Sequence, residues 1–339
     1  MSALAVETRD LTVEFAARDG GATLRAVDGV DLALYSGESV GLVGESGCGK
    51  TTLARTLLGL QRPTSGSVHV SSEDVSRLEG TALKKFRRRI QLVFQNPVGS
   101  LNPRIPVGTA IREVLDVHGL GASSERPARV ADLLTDVGMA PDAADRFPHE
   151  FSGGQRQRIA IARALAVEPE ILIADEPVSA LDVSVQAQVL TLLRDLREKR
   201  KFTLLLISHD LAVVRYLCER VIVMFMGRVV EMGTVDVLYD RPAHPYTTAL
   251  LEAVPDIESG LALRRDGHVG MAQGRSPIRT PIAEDCCRYA FRCSRAEARC
   301  LDAEPGLEEL GGGRLSACYF ARELASGGAP TGTAPGSRV

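Results

Sequence analysis

Ser39-Val40-Gly41-Leu42-Val43-Gly44-Glu45-Ser46-Gly47-Cys48-Gly49-Lys50-Thr51-Thr52 decides the fold. Residues 39–43 read as a buried strand, they run straight into a glycine loop, and a helical pattern follows from Leu53 to Leu60. Strand, loop and helix in that order are the context in which Gly-x4-Gly-Lys-Thr reads as a phosphate loop. Glycines let backbone N–H groups turn toward phosphate oxygens, and the helix N-terminus adds the positive end of its dipole. Lys50 is placed to reach the β- and γ-phosphates, and the Thr51 hydroxyl to ligate Mg²⁺. A plain Gly-rich turn is the competing reading, but Lys-Thr at a helix start has no packing rationale. Cys48 reads as a tolerated filler of the loop, with a thiol activated by Lys50 as the alternative.

Outward from the loop, the apolar runs Ile171–Ala174 and Leu204–Ile207 alternate with helical patterns at Gln155–Val167 and Val185–Lys199. That alternation predicts βαβ units and a mostly parallel sheet. Arg220–Met226 and Arg228–Met232, joined at Gly227, read as a hairpin that closes it. Upstream, Leu11–Phe15 and Val30–Leu34 predict a two-stranded start with a turn at Asp19-Gly20-Gly21. Between residues 96 and 150 strand signals fade, and helices at Val107–His118 and Arg126–Val137 stand among prolines 97, 103, 106, 141 and 148. The pattern predicts an inserted helical subdomain. A cassette over 1–233, an accessory region over 234–325 and a tail over 326–339 of disordered composition complete the expected organisation.

Two further acids mark the site. Asp175 and Glu176 end a hydrophobic strand, where a parallel sheet opens its ligand crevice. Asp175 suits Mg²⁺ and Glu176 suits the polarisation of an attacking water. Alone, a solvated acidic turn explains them equally well; beside a phosphate loop it does not. Phe151-Ser152-Gly153-Gly154-Gln155 caps a long helix and makes a second anion-ready N-terminus, or an ordinary cap.

Composition narrows the partners. The chain has 339 residues, 45% hydrophobic and 24% charged, enough for a large core and about two domains. A net charge of -3, no Trp and 4% aromatics exclude a general nucleic-acid binder. The longest apolar runs, such as Val221–Met226, fall short of the roughly 18–20 residues of a membrane-spanning helix. MSALAVETRD shows no basic segment followed by an apolar one, so the expected compartment is the cytosol, where the 7 cysteines are reduced unless they hold a metal or cluster. Cys218 reads as a buried core thiol, whereas Cys286, Cys287, Cys293, Cys300 and Cys318 crowd together near the C-terminus.

In order, the phosphate loop, Gln95, Phe151–Gln155, Ile171–Glu176, Ser179–Asp182 and Ser208-His209 resemble the ATP-binding cassette (ABC) ATPases over residues 5–233. The resemblance implies an α/β fold: a P-loop NTPase (RecA-like) core with an antiparallel β subdomain and a helical insertion. ATP and Mg²⁺ are the implied ligands. It also implies that two cassettes pack head to tail, so that Ser152-Gly153-Gly154 of one chain covers the γ-phosphate held by the other. Gln95 matches the residue that touches Mg²⁺ and the attacking water, His209 the switch histidine at the γ-phosphate, and Asp182 the loop that communicates across the dimer. Phe15 stands near the adenine-stacking position, with core packing as an equal contender.

Arg88–Pro97, Ser100–Arg104, His244-Pro245-Tyr246-Thr247 and Leu250-Leu251 are similar to ATPase subunits of bacterial dipeptide, oligopeptide and nickel importers, the F-type subunit in particular. This implies a second ATPase, two permeases and an extracytoplasmic solute-binding protein as partners, and a place on the cytoplasmic face of the membrane. Residues 97–106 become a candidate permease contact or a proline-stiffened surface loop, and Lys84–Arg89 a solvated basic face. Peptide is the expected cargo, with nickel or glutathione as alternatives. A soluble ATPase acting on ribosomes or DNA is the competing class, disfavoured because such proteins usually carry tandem cassettes or long coiled coils. Cys287-x5-Cys293-x6-Cys300-x17-Cys318 resembles a cysteine set of this group, some members of which hold a [4Fe–4S] cluster; zinc or reduced packed thiols are the alternatives. Cys286 stands where the group usually has glycine, so either of the adjacent thiols is a candidate ligand.

Overall fold

The computed structural model describes residues 3–16, 23–95, 99, 101–253 and 286–327. The turn at 19–21, most of the 97–100 stretch and the tail from 328 onward lie outside them. Two sheets organise the chain. In the first, β1 (Leu4–Phe15), β2 (Leu24–Tyr35), β4 (Ser65–Val70) and β5 (Glu73–Asp74) run antiparallel in the order β2-β1-β4-β5. The second contains β3 (Ser39–Val43), β6 (Ile90–Val93), β7 (Ile171–Asp175), β8 (Thr203–Ser208), β9 (Arg220–Phe225) and β10 (Arg228–Thr234), and it ends in a hairpin, β11 (Glu308–Gly311) and β12 (Arg314–Ser316). Its order is β11-β12-β10-β9-β3-β8-β7-β6, parallel from β9 through β6.

Period-two side-chain direction builds the layers. Leu205 and Ile207 of β8, with Ile171 and Ile173 of β7, face the antiparallel sheet and the helix Lys50–Leu57. Leu204 and Leu206, with Leu172 and Ala174, face the opposite way, toward the helices Val107–His118, Arg126–Asp136, Gly153–Leu165 and Val183–Arg200. Strands buried on both faces read as continuous apolar runs, which is why they were visible in sequence.

Two differences from expectation have physical causes. The helix after the phosphate loop spans Lys50–Leu57, beginning at the lysine because Gly49 is its left-handed N-cap. β10 does not end the sheet: β12 pairs with it through Glu231 opposite Ser316 and Met232 opposite Leu315. Arg314 makes that junction firm, since its guanidinium donates to Glu231 Oε1 at 3.0 Å with both side chains buried, and Ala243 N–H reaches the same oxygen at 2.8 Å. The basic run, read as a solvated face, ends the helix Gly80–Arg89 with Lys84, Lys85, Arg87 and Arg88 exposed and only Arg89 half-buried. Arg89 forks onto Glu170 at 2.9 Å and reaches Glu73 at 3.0 Å, tying that helix to the start of β7 and to β5.

Candidate functional site

The phosphate loop follows β3 and is packed from behind. A Cβ on Gly49 would meet Ala26 O at 2.1 Å, and one on Gly44 would meet Met224 O at 2.2 Å; both glycines have positive φ. Only glycine lets the loop lie this close to its neighbours. Lys50 is almost fully buried, and its Nζ donates to Gly44 O at 2.7 Å and Glu45 O at 2.8 Å. Cys48 is buried beneath the loop, where desolvation pushes its thiol up despite Lys50 nearby, so it packs as a neutral filler.

Beyond the loop, β6, β7 and β8 bring their C-terminal ends together. Thr51 Oγ1 lies 3.2 Å from Asp175 Oδ2. Burial pushes Asp175 above the ordinary carboxylate range, against the pull of the Thr51 hydroxyl, and the neighbouring Glu176 charge adds to the rise. Glu176 holds a left-handed φ of 46°, a conformation that costs a non-glycine residue about 1 kcal/mol or more. Its N–H donates to Ile207 O at 2.9 Å, which fixes the turn. In that pose its carboxylate is gripped from both flanks: Gln95 Nε2 donates to Oε2 at 2.7 Å, and His209 Nδ1 lies 3.1 Å from Oε1. Ser179 Oγ donates to Glu176 O at 3.1 Å and completes the cluster.

Ser152-Gly153-Gly154-Gln155 belong to a different element. Ser152 caps the helix Gly153–Leu165 reciprocally: Gln155 N–H donates to Ser152 Oγ at 3.3 Å, and Ser152 N–H to Gln155 Oε1 at 2.9 Å. Both side chains are exposed. Asp182 is the N-cap residue of Val183–Arg200 and makes no side-chain cap bond. Phe15 ends β1 with its ring 40% exposed, outside the packed core. Thr52 stands half-buried in the first turn after the loop, and Ser46 and Gly47 form its exposed crest.

The C-terminal cysteines converge. Cys287, Cys293, Cys300 and Cys318 line one small pocket with His244, Tyr289 and Phe320, while Cys286 is buried elsewhere. The void between them is only about 10 Å³, so a guest must part the walls. Burial pushes the thiols of Cys287 and Cys293 up, and that of Cys318 to about 12. His244 is driven the other way, to about 4, by burial; its Nδ1 accepts the Tyr246 N–H at 3.0 Å. Among the described residues no three His, Cys, Asp or Glu side chains converge tightly enough to hold one metal ion.

Motif reading missed the residues that join this pocket to the phosphate loop. Tyr246 Oη accepts the Glu45 N–H at 2.8 Å, and Arg292 forks onto Glu45 at 2.7 and 2.9 Å. Nothing in their spacing marks them, because contacts this far apart in sequence leave no local pattern.

A family description, ABC transporter, matches residues 27–179, and a second, the C-terminal region of oligopeptide/dipeptide transporters, matches 230–300. The chain is similar to the oligopeptide transport ATP-binding protein AppF of Bacillus subtilis (strain 168), 44% identical over 321 residues, 93% of this chain and 97% of the relative. It is equally similar to the oligopeptide transport ATP-binding protein OppF of Salmonella typhimurium, 44% identical over 313 residues, 89% and 92% of the two chains. The dimeric post-hydrolysis structure of the ATP-binding cassette MJ0796, bound to ADP and Pi, superposes with a TM-score of 0.61 at 31% identity, covering 68% of this chain and 98% of that one.

Proposed function

The chain belongs to the ATP-binding proteins of ABC transporters, and from that premise we propose that it is the ATP-hydrolysing subunit of a peptide importer. The observation that carries this reading is Glu176, held between Gln95 and His209 at the strand ends beside Thr51 and Asp175.

Each residue then has a role. The loop N–H groups of residues 44–52 cradle the polyphosphate, and Lys50 exchanges its loop carbonyls for the β- and γ-phosphates. Phe15 offers a half-exposed ring for the adenine to stack on. A hydroxyl and a carboxylate 3.2 Å apart are the hard oxygen donors Mg²⁺ prefers, so Thr51, Asp175 and the Gln95 amide would hold it. Bound there, Mg²⁺ supplies positive charge against the charge that develops on the phosphates. Glu176 orients and deprotonates the attacking water, and His209 contacts the γ-phosphate while steadying Glu176. Ser152, Gly153, Gly154 and Gln155 cover the γ-phosphate of a second cassette, and Asp182 lies on the loop that senses it. That second cassette is a different ATPase subunit, two permeases stand above the pair, and a solute-binding protein delivers peptide from the far side. Among the described residues no helix is long and apolar enough to cross a membrane, consistent with a peripheral subunit on the cytoplasmic face.

For the cysteine pocket we propose a [4Fe–4S] cluster ahead of zinc. Four cysteines around one pocket, Cys300 buried and the others half-buried, are the donor set such a cluster takes, whereas structural zinc sites usually show tighter sequence spacing. Cys287, not Cys286, is then the ligand. Anaerobic purification yielding iron and brown visible absorption, both lost in Cys318→Ser, is the expected result; iron-free protein overturns the cluster. The transport reading predicts co-purification with two permeases and ATP-dependent peptide uptake in proteoliposomes. Uptake of nickel but not peptide, or capture with ribosomes instead of permeases, would reject it.

A further inference from the structure

The phosphate loop carries an acid. Glu45 directly follows Gly44, and an uncompensated carboxylate in this loop would repel the polyphosphate the loop is proposed to bind. Every polar group of Glu45 is nevertheless engaged. Its N–H donates to Tyr246 Oη, its C=O accepts from Lys50 Nζ and from Cys48 N–H, and its carboxylate receives both arms of Arg292.

Two of those partners come from the C-terminal region. Tyr246 lies on the helix Pro245–Glu252, and Arg292 ends the short turn Ala290–Arg292, one residue before Cys293. Arg292 is held on its other side by aromatic faces, with its guanidinium 5.7 Å from the ring centroids of both Phe225 and Tyr289. Phe225, Tyr246 and Tyr289 pack on one another at 4.6–5.4 Å, so the arginine is aimed before it meets Glu45. A planar fork on a carboxylate is the geometry that best cancels a charge and fixes a direction at once. The same region is anchored by Arg288, which donates to Asp28 and to Met226 O, next to the segment that backs Gly49.

We propose that Arg292 is a positioning residue for nucleotide binding: it neutralises Glu45 and, with Tyr246, holds the phosphate loop, so the C-terminal region sets ATP affinity within its own chain. The inference rests on residues 44–52 being the ATP phosphate loop. It assigns the C-terminal region an electrostatic task distinct from any cluster its cysteines hold.

Titration of the full-length protein with MgATP tests it. Arg292→Ala should weaken binding about fivefold, the scale of a partly exposed pair, and KM should rise with kcat retained. The loss should shrink as salt rises, because screening weakens the exposed Glu45 charge. Arg292→Lys keeps the charge and should bind within about twofold of the parent. The decisive arm is Glu45→Gln in the Arg292→Ala background: removing the acid should restore affinity to within about twofold, which a purely structural arginine would not permit. A double variant as weak as Arg292→Ala, or a single variant with unchanged affinity and salt dependence, overturns the proposal. Lys50→Ala separates the two levels: if it leaves MgATP binding intact, the phosphate-loop reading itself fails, whatever Arg292 does.

Discussion

The phosphate loop and the cysteine pocket lie one ion pair apart, yet they are built in opposite ways. The loop is a single run, residues 44–52, shaped by a strand that stops and a helix that starts, with glycines where the backbone of Ala26 and Met224 leaves no room for a side chain. The pocket is gathered from four places: His244 at a helix cap, Cys287 and Cys293 around a short turn, Cys300 in the helix Ala298–Asp302, and Cys318 beyond β12. A contiguous site is specified by local geometry, and its chemistry is written in a motif. A gathered site depends on long-range packing, so its integrity is a question of stability first. That difference says where each region should break.

The largest effect is expected in the C-terminal region. Arg314→Ala leaves Glu231 buried without its cation at the junction of β10 and β12, and breaking a buried pair costs about 3–5 kcal/mol. Burial already pushes the Glu231 carboxyl up, so much of the loss should be recovered in Arg314→Ala with Glu231→Gln. Urea unfolding at pH 7 measures both. A cost below about 1 kcal/mol would show that the hairpin is a dispensable flap and not part of the central sheet.

Next comes acid sensitivity at the pocket. His244 is neutral and buried, with its pKa lowered from 6.5 to about 4. The unfolded chain therefore binds the proton more readily, so stability is full above about pH 6.5 and declines as pH falls toward 4, by about 3 kcal/mol in all. His244→Asn keeps an oxygen for the Tyr246 N–H and should flatten that slope in pH-dependent unfolding. An unchanged slope would place the acid-sensitive group elsewhere.

The smallest stability effect belongs to the cassette. Ser152→Ala removes one N-cap bond and should cost only about 1 kcal/mol. ATP turnover should nevertheless fall at least about tenfold, as for a donor that acts on charge developing at a partner's γ-phosphate. Turnover that falls only as far as stability does would reduce Ser152 to a helix cap.

Much of the cassette was legible because phosphate chemistry dictates residue types at fixed spacing. Gly44, Gly49, Lys50, Thr51, Asp175 and Glu176 were picked out as candidates by motif, and the structure brings Gln95 and His209, picked out by the resemblance, onto Glu176 from beyond the ends of β6 and β8. The doubly buried strands β7 and β8 were legible as apolar runs. The hairpin Glu308–Ser316 was not: its sequence, with Gly311-Gly312-Gly313, has no apolar alternation, and it forms because β10 offers an open edge. Arg292 and Tyr246 were invisible as site residues because an arginine between two cysteines and a tyrosine in a helix carry no signal until the fold brings them to Glu45. Cys286 and Cys287 were indistinguishable in sequence, and only the packing shows that Cys287 and not Cys286 lines the pocket.

Whether the strand-end cluster is a hydrolytic centre is tested most directly by Glu176→Gln. The variant should bind MgATP as the parent does while phosphate release falls about 10²- to 10⁴-fold, the range for losing a general base, with both quantities read on the same preparation. Parental phosphate release from protein that retains the substitution would contradict the account.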